Sequence, residues 1–328
     1  MSGTTGLQAD KAAAVRKKHN FFVRLRKEKY LQIMALAGVA YILVFNYAPM
    51  FGLIIGFKNY QIHMGIKGMF TSQWVGLKHF REFFTYYDIG LVLRNTFMLS
   101  ALKMIFSFPV PILFAIMICE VSSLKFRKLV QTASYLPHFI GWVTVSGIIT
   151  AFFSGIDGVF NNLLLNLKLI DSPLDILTNP NKFYALAVLS DIWKSFGWWS
   201  IIFIAAITGV DPTQYESAII DGAGRIQRIW YITLPGIKGA IAVVLIMAMG
   251  HLLGGGLSGS NFEQSMLLGN NLNYDRSMIL QKYALQSGLE EMRYSYATAI
   301  GLMESTLSVI LVYTTNRLAK KLSGSGLF

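Results

Sequence analysis

Cysteine is almost absent: Cys119 is the single one in 328 residues, so no disulfide closes within the chain and no cysteine-based metal site exists. It ends an apolar run, where packing accounts for it. Charge is scarce too, with Asp, Glu, Lys and Arg making up 14% of the residues and acidic side chains the rarer kind, 17 against 29 basic. No Gly-x-x-x-x-Gly-Lys-Ser/Thr stretch is present to cradle nucleotide phosphates. The five histidines (His19, His63, His79, His138, His251) show no metal-ligand spacing. A nucleophile elbow and a paired-carboxylate site on a recognisable scaffold are missing as well. The chain reads as a conduit rather than a catalyst.

What is abundant is apolar surface: 54% of the residues are hydrophobic and the mean hydropathy is +0.49. That balance excludes an ordinary soluble domain and indicates an integral membrane protein. A hydrocarbon core about 30 Å thick takes about 20 mostly apolar residues per helix. Six stretches qualify: Leu31 to Phe57, Leu91 to Cys119, Thr132 to Ser154, Phe183 to Val210, Gly239 to Leu257 and Tyr296 to Thr315. The expected fold is therefore an all-α polytopic membrane protein of six transmembrane helices, with a basic amino-terminal segment over 1–30, a membrane domain over 31–318 and a short tail over 319–328. The first apolar run is too long for a signal-peptide core and is followed by Lys58-Asn59-Tyr60 without a small-residue cleavage pattern, so it reads as retained.

The formal charge of +12 is unevenly placed. Eight basic residues precede the first span, and three each follow spans two (Lys125, Arg127, Lys128), four (Arg225, Arg228, Lys238) and six (Arg317, Lys320, Lys321). The alternate loops hold nine, offset by nine acidic residues. Basic residues gather on the cytoplasmic side, so both termini are expected in the cytoplasm. The positive charge then meets anionic lipid headgroups, and nucleic acid is not needed to explain it. Phe21, Phe22, Leu25 and Tyr30 suggest a partly helical amphipathic stretch along the inner leaflet or under the bundle.

Between spans four and five lies YESAIIDGAGRIQRIWYITLP, charged and glycine-broken between two apolar runs. Asp211-Pro212-Thr213 is a helix start. Tyr215, Ala218 and Ile219 recur at helical spacing, and Asp221-Gly222-Ala223-Gly224 breaks the helix. A second short helix is expected over 225–232, with Ile226, Ile229 and Trp230 on one side, ended by Leu234-Pro235. Two short helices joined at glycine form a knob. Its small residues let another backbone approach, and Glu216 offers an anchor for a basic partner residue.

Glu216-Ser217-Ala218, then Gly222, then Ile232-Thr233-Leu234-Pro235 resembles the EAA loop of permease subunits in binding-protein-dependent type I ABC importers, departing at Ser217 where Ala is usual. Tyr47 to Gly52, Gly56 to Tyr60, Phe262-Glu263-Gln264, Tyr294 to Ala297 and Asn316 to Lys321 are similar to carbohydrate-uptake permeases of the maltose type, particularly those handling oligosaccharides and polysaccharide fragments. The resemblance covers nearly all the chain from about position 30. It implies a bacterial cytoplasmic (inner) membrane permease that encloses the path with a second, non-identical permease. A cytoplasmic ATPase dimer, which binds ATP and Mg in place of any cofactor in this chain, would dock on residues 213–232 through Tyr215, Glu216, Ser217, Ala218, Asp221, Gly222, Ala223 and Gly224. An extracytoplasmic solute-binding protein would deliver the oligosaccharide.

Ionisable groups inside a membrane are costly and point to function by default. Asp191 and Lys194, three apart on span four, can face one another, either as a path element or as a pair that makes the span tolerable. Glu304 is expected inside the bundle, against Lys103 or another subunit. Trp193, Trp198 and Trp199 offer faces for sugar rings, although packing explains each singly. Gly52 with Gly56 and Gly250 with Gly254 read as close helix contacts. Gly254-Gly255-Gly256 with Ser258-Gly259-Ser260 is either irregular backbone lining a cavity or a flexible exit from span five. Two other classes compete: a membrane-embedded enzyme using Asp157 or Asp88, and an ion-coupled transporter using Asp191 or Glu304. The first would turn over without an ATPase subunit, and the second leaves the quoted loop without a purpose.

Overall fold

The computed structural model describes residues 29–323, apart from Ile156. The amphipathic stretch through Phe21, Phe22 and Leu25 and the end of the tail lie outside the described residues. Two compact units are distinguished, the first ending at Ile55 and the second beginning at Gly56.

Among the described residues four helices are long and apolar enough to cross a membrane: α1 (Lys29–Phe57), α2 (Ile89–Cys119), α7 (Arg225–Gly250) and α10 (Tyr294–Lys321). Two bent pairs bring the number to six if each pair is one span. In the first pair α3 (Leu124–Phe139) meets α4 (Trp142–Phe153) at 99°, and in the second α5 (Pro180–Thr208) meets α6 (Pro212–Ile220) at 68°. Between α7 and α10 lie α8 (Asn261–Leu268) and α9 (Leu280–Leu289). The chain is thus an all-α, multi-pass membrane protein.

The expected straight third span, Thr132 to Ser154, is broken. Pro137 tightens the end of α3 into a 3-10 turn. Ile140 and Gly141 are then both extended, at ψ 126° and 149°. Two extended residues in succession stop the helical ladder, and Gly141 starts α4 in a new direction. The second short helix of the quoted loop also differs from expectation, because 225–228 runs on into the fifth span as one helix, α7. At Ile229–Thr233 the spiral widens into a π-turn in which the Leu234 N–H reaches the Ile229 carbonyl. The extra residue makes room for Pro235, which has no N–H to give, so the proline passes without ending the helix.

Polarity is distributed inside out. Leu113, Met117, Val143, Leu189 and Val309 are more than half exposed, as lipid-facing side chains should be, whereas Asn95, Ser200, Asn261, Gln264 and Ser265 are fully buried. Lipid rewards apolar surface on the outside and leaves buried polar groups to satisfy one another. Among the described residues four apolar clusters join the helices, one of them Ala242 and Ile246 of α7 on Ala319 of α10. Phe108, Ile112, Ala115 and Ile116 of α2 pack on Phe203 and Ile207 of α5 and on Ile237, Val244 and Ala248 of α7. Leu99, Val145, Ile149, Phe183, Ala187, Leu268 and Ile279 tie α2, α4, α5 and α8, and Tyr283 with Tyr296 and Ile300 fastens α9 to α10.

The close-contact reading of the glycine pairs holds at three positions. A Cβ on Gly56 would stand 3.1 Å from Leu302 Cδ1, one on Gly250 2.9 Å from Val312 Cγ2, and one on Gly254 3.4 Å from Gln281 Nε2. A Cβ on Gly52 would meet nothing within 4 Å.

Candidate functional site: a projecting helical turn and a polar interior

Asp211 caps α6 as its sequence suggests, its Oδ1 accepting from the Thr213 N–H at 3.0 Å with Pro212 in the first turn. At the other end the Ala223 N–H donates to the Ala218 carbonyl at 2.8 Å and the Gly222 N–H to Ile219 at 3.0 Å. This is a Schellman motif, which requires a left-handed residue where Gly222 sits at φ +79°. Gln227 Oε1 accepts from the Gly224 N–H at 2.7 Å and fastens the start of α7. The knob is thereby a fixed turn, and the Tyr215 hydroxyl, 3.0 Å from Thr233 Oγ1, ties α6 to the π-turn.

Tyr215, Ala218 and Ala223 are half-buried, while Glu216, Ser217, Asp221, Gly222 and Gly224 are exposed. Ile220 is 85% exposed, and Ile219, Ile226 and Trp230 are exposed beside it. Ile229 parts from Ile226 and Trp230: it packs on the cluster of α2, α5 and α7. Apolar side chains projecting around a carboxylate leave an unfilled contact surface. A Cβ on Gly222 would find open space, so Gly222→Ala is expected to act through backbone strain alone and to weaken the turn by about 1–2 kcal/mol. Limited trypsin digestion at Arg225 should accelerate accordingly, and an unchanged rate would count against a fixed turn.

In the interior the structure separates the candidate path residues. Asp191 does not pair with Lys194. Its Oδ1 lies 3.9 Å from Lys103 Nζ on α2, and Ser260 bridges them, accepting from Lys103 at 2.6 Å and donating to Asp191 at 2.7 Å. With its one proton given to Asp191, Ser260 accepts from Ser258 at 2.9 Å. Lys194 instead donates to the His138 carbonyl at 2.6 Å, with its ammonium 5.8 Å from the Trp142 ring. The i, i+3 neighbours of span four thus face different helices, Lys194 the broken third span and Asp191 α2. Trp198 stacks flat on His138 at 4.5 Å, Trp193 lines an apolar recess with Ile149 and Phe152, and Trp199 borders the small cavity beside Lys103 and Asp191.

Glu304 pairs neither with Lys103 nor with Asp191. Its Oε1 accepts from Gln281 Nε2 of α9 at 2.6 Å, and it lines an open polar groove of about 440 Å³ with His251, Gly256, Ser258, Gln281 and Ser308. The glycine-rich stretch after α7 is cavity-lining backbone, with Gly255, Gly256 and Gly259 at φ +110°, +67° and +64°. Asn261 holds it down, donating to Ser100 Oγ at 3.0 Å and to the Leu253 carbonyl at 3.2 Å. Asn261 is not named by the sequence reading, and Ser260 and Gln264 enter it only as parts of longer stretches, without a role of their own. Asn261, Gln264, Ser265 and Leu268, all buried, repeat at helical spacing, which is the signal that would have found them.

A multi-pass helical bundle with a hydrogen-bonded polar interior and an exposed helix–turn–helix is the arrangement of a membrane transport component. Residues 93–324 match the family described as binding-protein-dependent transport system inner membrane component, and the chain belongs to that family. It is 41% identical over 312 residues to the polygalacturonan/rhamnogalacturonan transport system permease protein YteP of Bacillus subtilis (strain 168), covering 95% of this chain and 94% of that one. To protein LplB of the same organism it is 38% identical over 309 residues, 94% of either chain. A chain of the crystal structure of a bacterial alginate ABC transporter, in complex with alginate pentasaccharide-bound periplasmic protein, matches with a TM-score of 0.83 at 36% identity, covering 94% of this chain and 100% of that one.

Proposed function

We propose that the chain is one permease subunit of an ATP-driven importer of oligosaccharides or polysaccharide fragments. It works in the inner membrane of a bacterium with both termini in the cytoplasm. A second, homologous permease completes the path, an extracytoplasmic solute-binding protein delivers the sugar, and a cytoplasmic ATPase dimer binds ATP and Mg and docks on residues 213–232. The observation that carries this reading is the rigid, exposed turn around Glu216 and Gly222. It is capped at both ends, tied through Tyr215 to the start of α7, and left with Ile219, Ile220 and Ile226 uncovered. The polysaccharide importers among its relatives supply the substrate class.

On this reading closure of the ATPases pushes α6 inward. The bond from Tyr215 to Thr233 passes that displacement to α7, the helix whose far end carries the glycine-rich cavity wall. Hydrolysis and release return it. Glu216→Lys, at an exposed position where folding loses little, is expected to reduce ATPase retention on co-purification by about tenfold, a charge reversal worth about 1–2 kcal/mol at a partner's basic residue. Sugar-stimulated hydrolysis should fall with it. Retention and uptake that survive the reversal, or an unaltered chain that brings down no ATPase, would sink the proposal.

A further inference from the structure

Beside the turn around Glu216 and Gly222, a polar cavity of about 380 Å³ opens where the end of α2, α3, the end of α5, α6 and the start of α7 converge. Arg127 of α3 and Arg228 of α7 both line it, and Glu120 is the one carboxylate in the lining. Among the described residues neither arginine forms an ion pair, with Glu120 or with any other acid. Arg127 gives one N–H to the Cys119 sulfur at 3.4 Å, a weak acceptor. Arg228 Nε is sealed without a partner, whereas its Nη atoms are neither sealed nor bonded among the described residues. Ser122, in the non-helical turn that follows α2, adds a hydroxyl to the same wall.

Two guanidinium groups on one cavity repel each other, and a single carboxylate leaves the lining with a net positive charge. The shape of the arginine side chain decides which anion answers them. Its planar fork of N–H groups matches oxyanions. A phosphate monoester carries three strong acceptor oxygens, enough to take forks from two helices at once, where a carboxylate offers two oxygens in one plane. We propose that this cavity binds a phosphate monoester between Arg127 and Arg228, with Ser122 donating to it. The bound group ties α3 to the first turn of α7, next to the contact between Tyr215 and Thr233. A free phosphate ester and the headgroup of phosphatidic acid present this same chemistry. Placing the cavity on the cytoplasmic side rests on the permease reading, whereas the binding itself does not.

Cys119, half-buried in the cavity wall and the single cysteine of the chain, is a built-in reporter. Its labelling by N-ethylmaleimide, an uncharged reagent, is followed on the detergent-solubilised full chain with glycerol 3-phosphate added against chloride of equal ionic strength. It is followed again in nanodiscs of phosphatidylcholine with and without phosphatidic acid. The phosphate ester should slow the labelling where chloride does not. Arg127→Gln and Arg228→Gln should each raise the amount needed for half protection about tenfold, through loss of one charge-assisted pair. Glu120→Gln should lower it about threefold by removing the opposing charge. Lys128→Gln, the same change of charge at an exposed neighbour outside the lining, should leave it where it was. Protection by glycerol 3-phosphate supports the site with a free ester as its ligand, and protection confined to the phosphatidic acid nanodiscs supports it with a lipid headgroup. Labelling that neither source slows, or half protection that moves as far for Lys128→Gln as for Arg127→Gln, overturns the proposal.

Discussion

Asp191→Ala is expected to destabilise the helical bundle by about 3–5 kcal/mol, because it strands Lys103 as a buried charge without its counter-charge. Both side chains are almost wholly buried, 1% and 3% exposed. The cavity beside them, about 20 Å³, has room for little more than one water, which brings no counter-charge, and Ser260 loses the acceptor for its proton. The pair joins α2 to α5, and through Ser260 it holds the wall behind α7, so the loss spreads over three elements. Thermal unfolding of the detergent-solubilised chain should show it directly. Replacing both charges, Lys103→Met with Asp191→Leu, should restore most of the stability, since the pair's net worth over apolar packing is small while a broken pair is costly. A single variant within about 1 kcal/mol of the unaltered chain would refute the bridging role assigned to Ser260 and Lys103.

Gly197→Ala carries the second large effect, and its sign opposes what helix propensity alone predicts. In an exposed helix the change would stabilise by up to about 1 kcal/mol. Gly197 sits in the middle of α5, where a Cβ would fall onto the backbone carbonyl of Ser134 in α3, 2.5 Å from its carbonyl carbon. The obstacle is main chain and has no rotamer to escape into. The neighbouring contacts hold α3 in place: Lys194 on the His138 carbonyl and Trp198 on the His138 ring. Overpacking of this kind costs about 1–3 kcal/mol and at times more, so a loss of at least 2 kcal/mol is expected. Ser134→Gly should relieve it only in part, because the serine Cβ at 2.9 Å is farther away than the main-chain carbonyl, which remains. Full recovery in that double variant would show that the contact has been misassigned.

Much of the architecture was legible in the linear chain. Membrane helices are specified locally, by length and apolarity, and the positions of α1, α2, α7 and α10 follow from counting about 20 apolar residues against the thickness of lipid. The turn at 211–224 was equally legible, since caps and Schellman glycines act within a few residues: Asp211, Pro212 and Gly222 do in three dimensions what their order suggests. Pro235 shows where local rules stop, because a π-turn ending two residues earlier absorbs the proline and keeps α7 whole.

What only the tertiary structure decided is who pairs with whom. Asp191 and Lys194 are neighbours in sequence, yet one meets Lys103 and Ser260 from distant helices and the other meets a carbonyl of the broken third span. Glu304 found Gln281 rather than Lys103. The reason is the solvent. In lipid the outward face of each helix is selected for apolarity, and so each can be read singly. The polar groups must be satisfied inside the bundle, by partners whose distance along the chain carries no information about their distance in space.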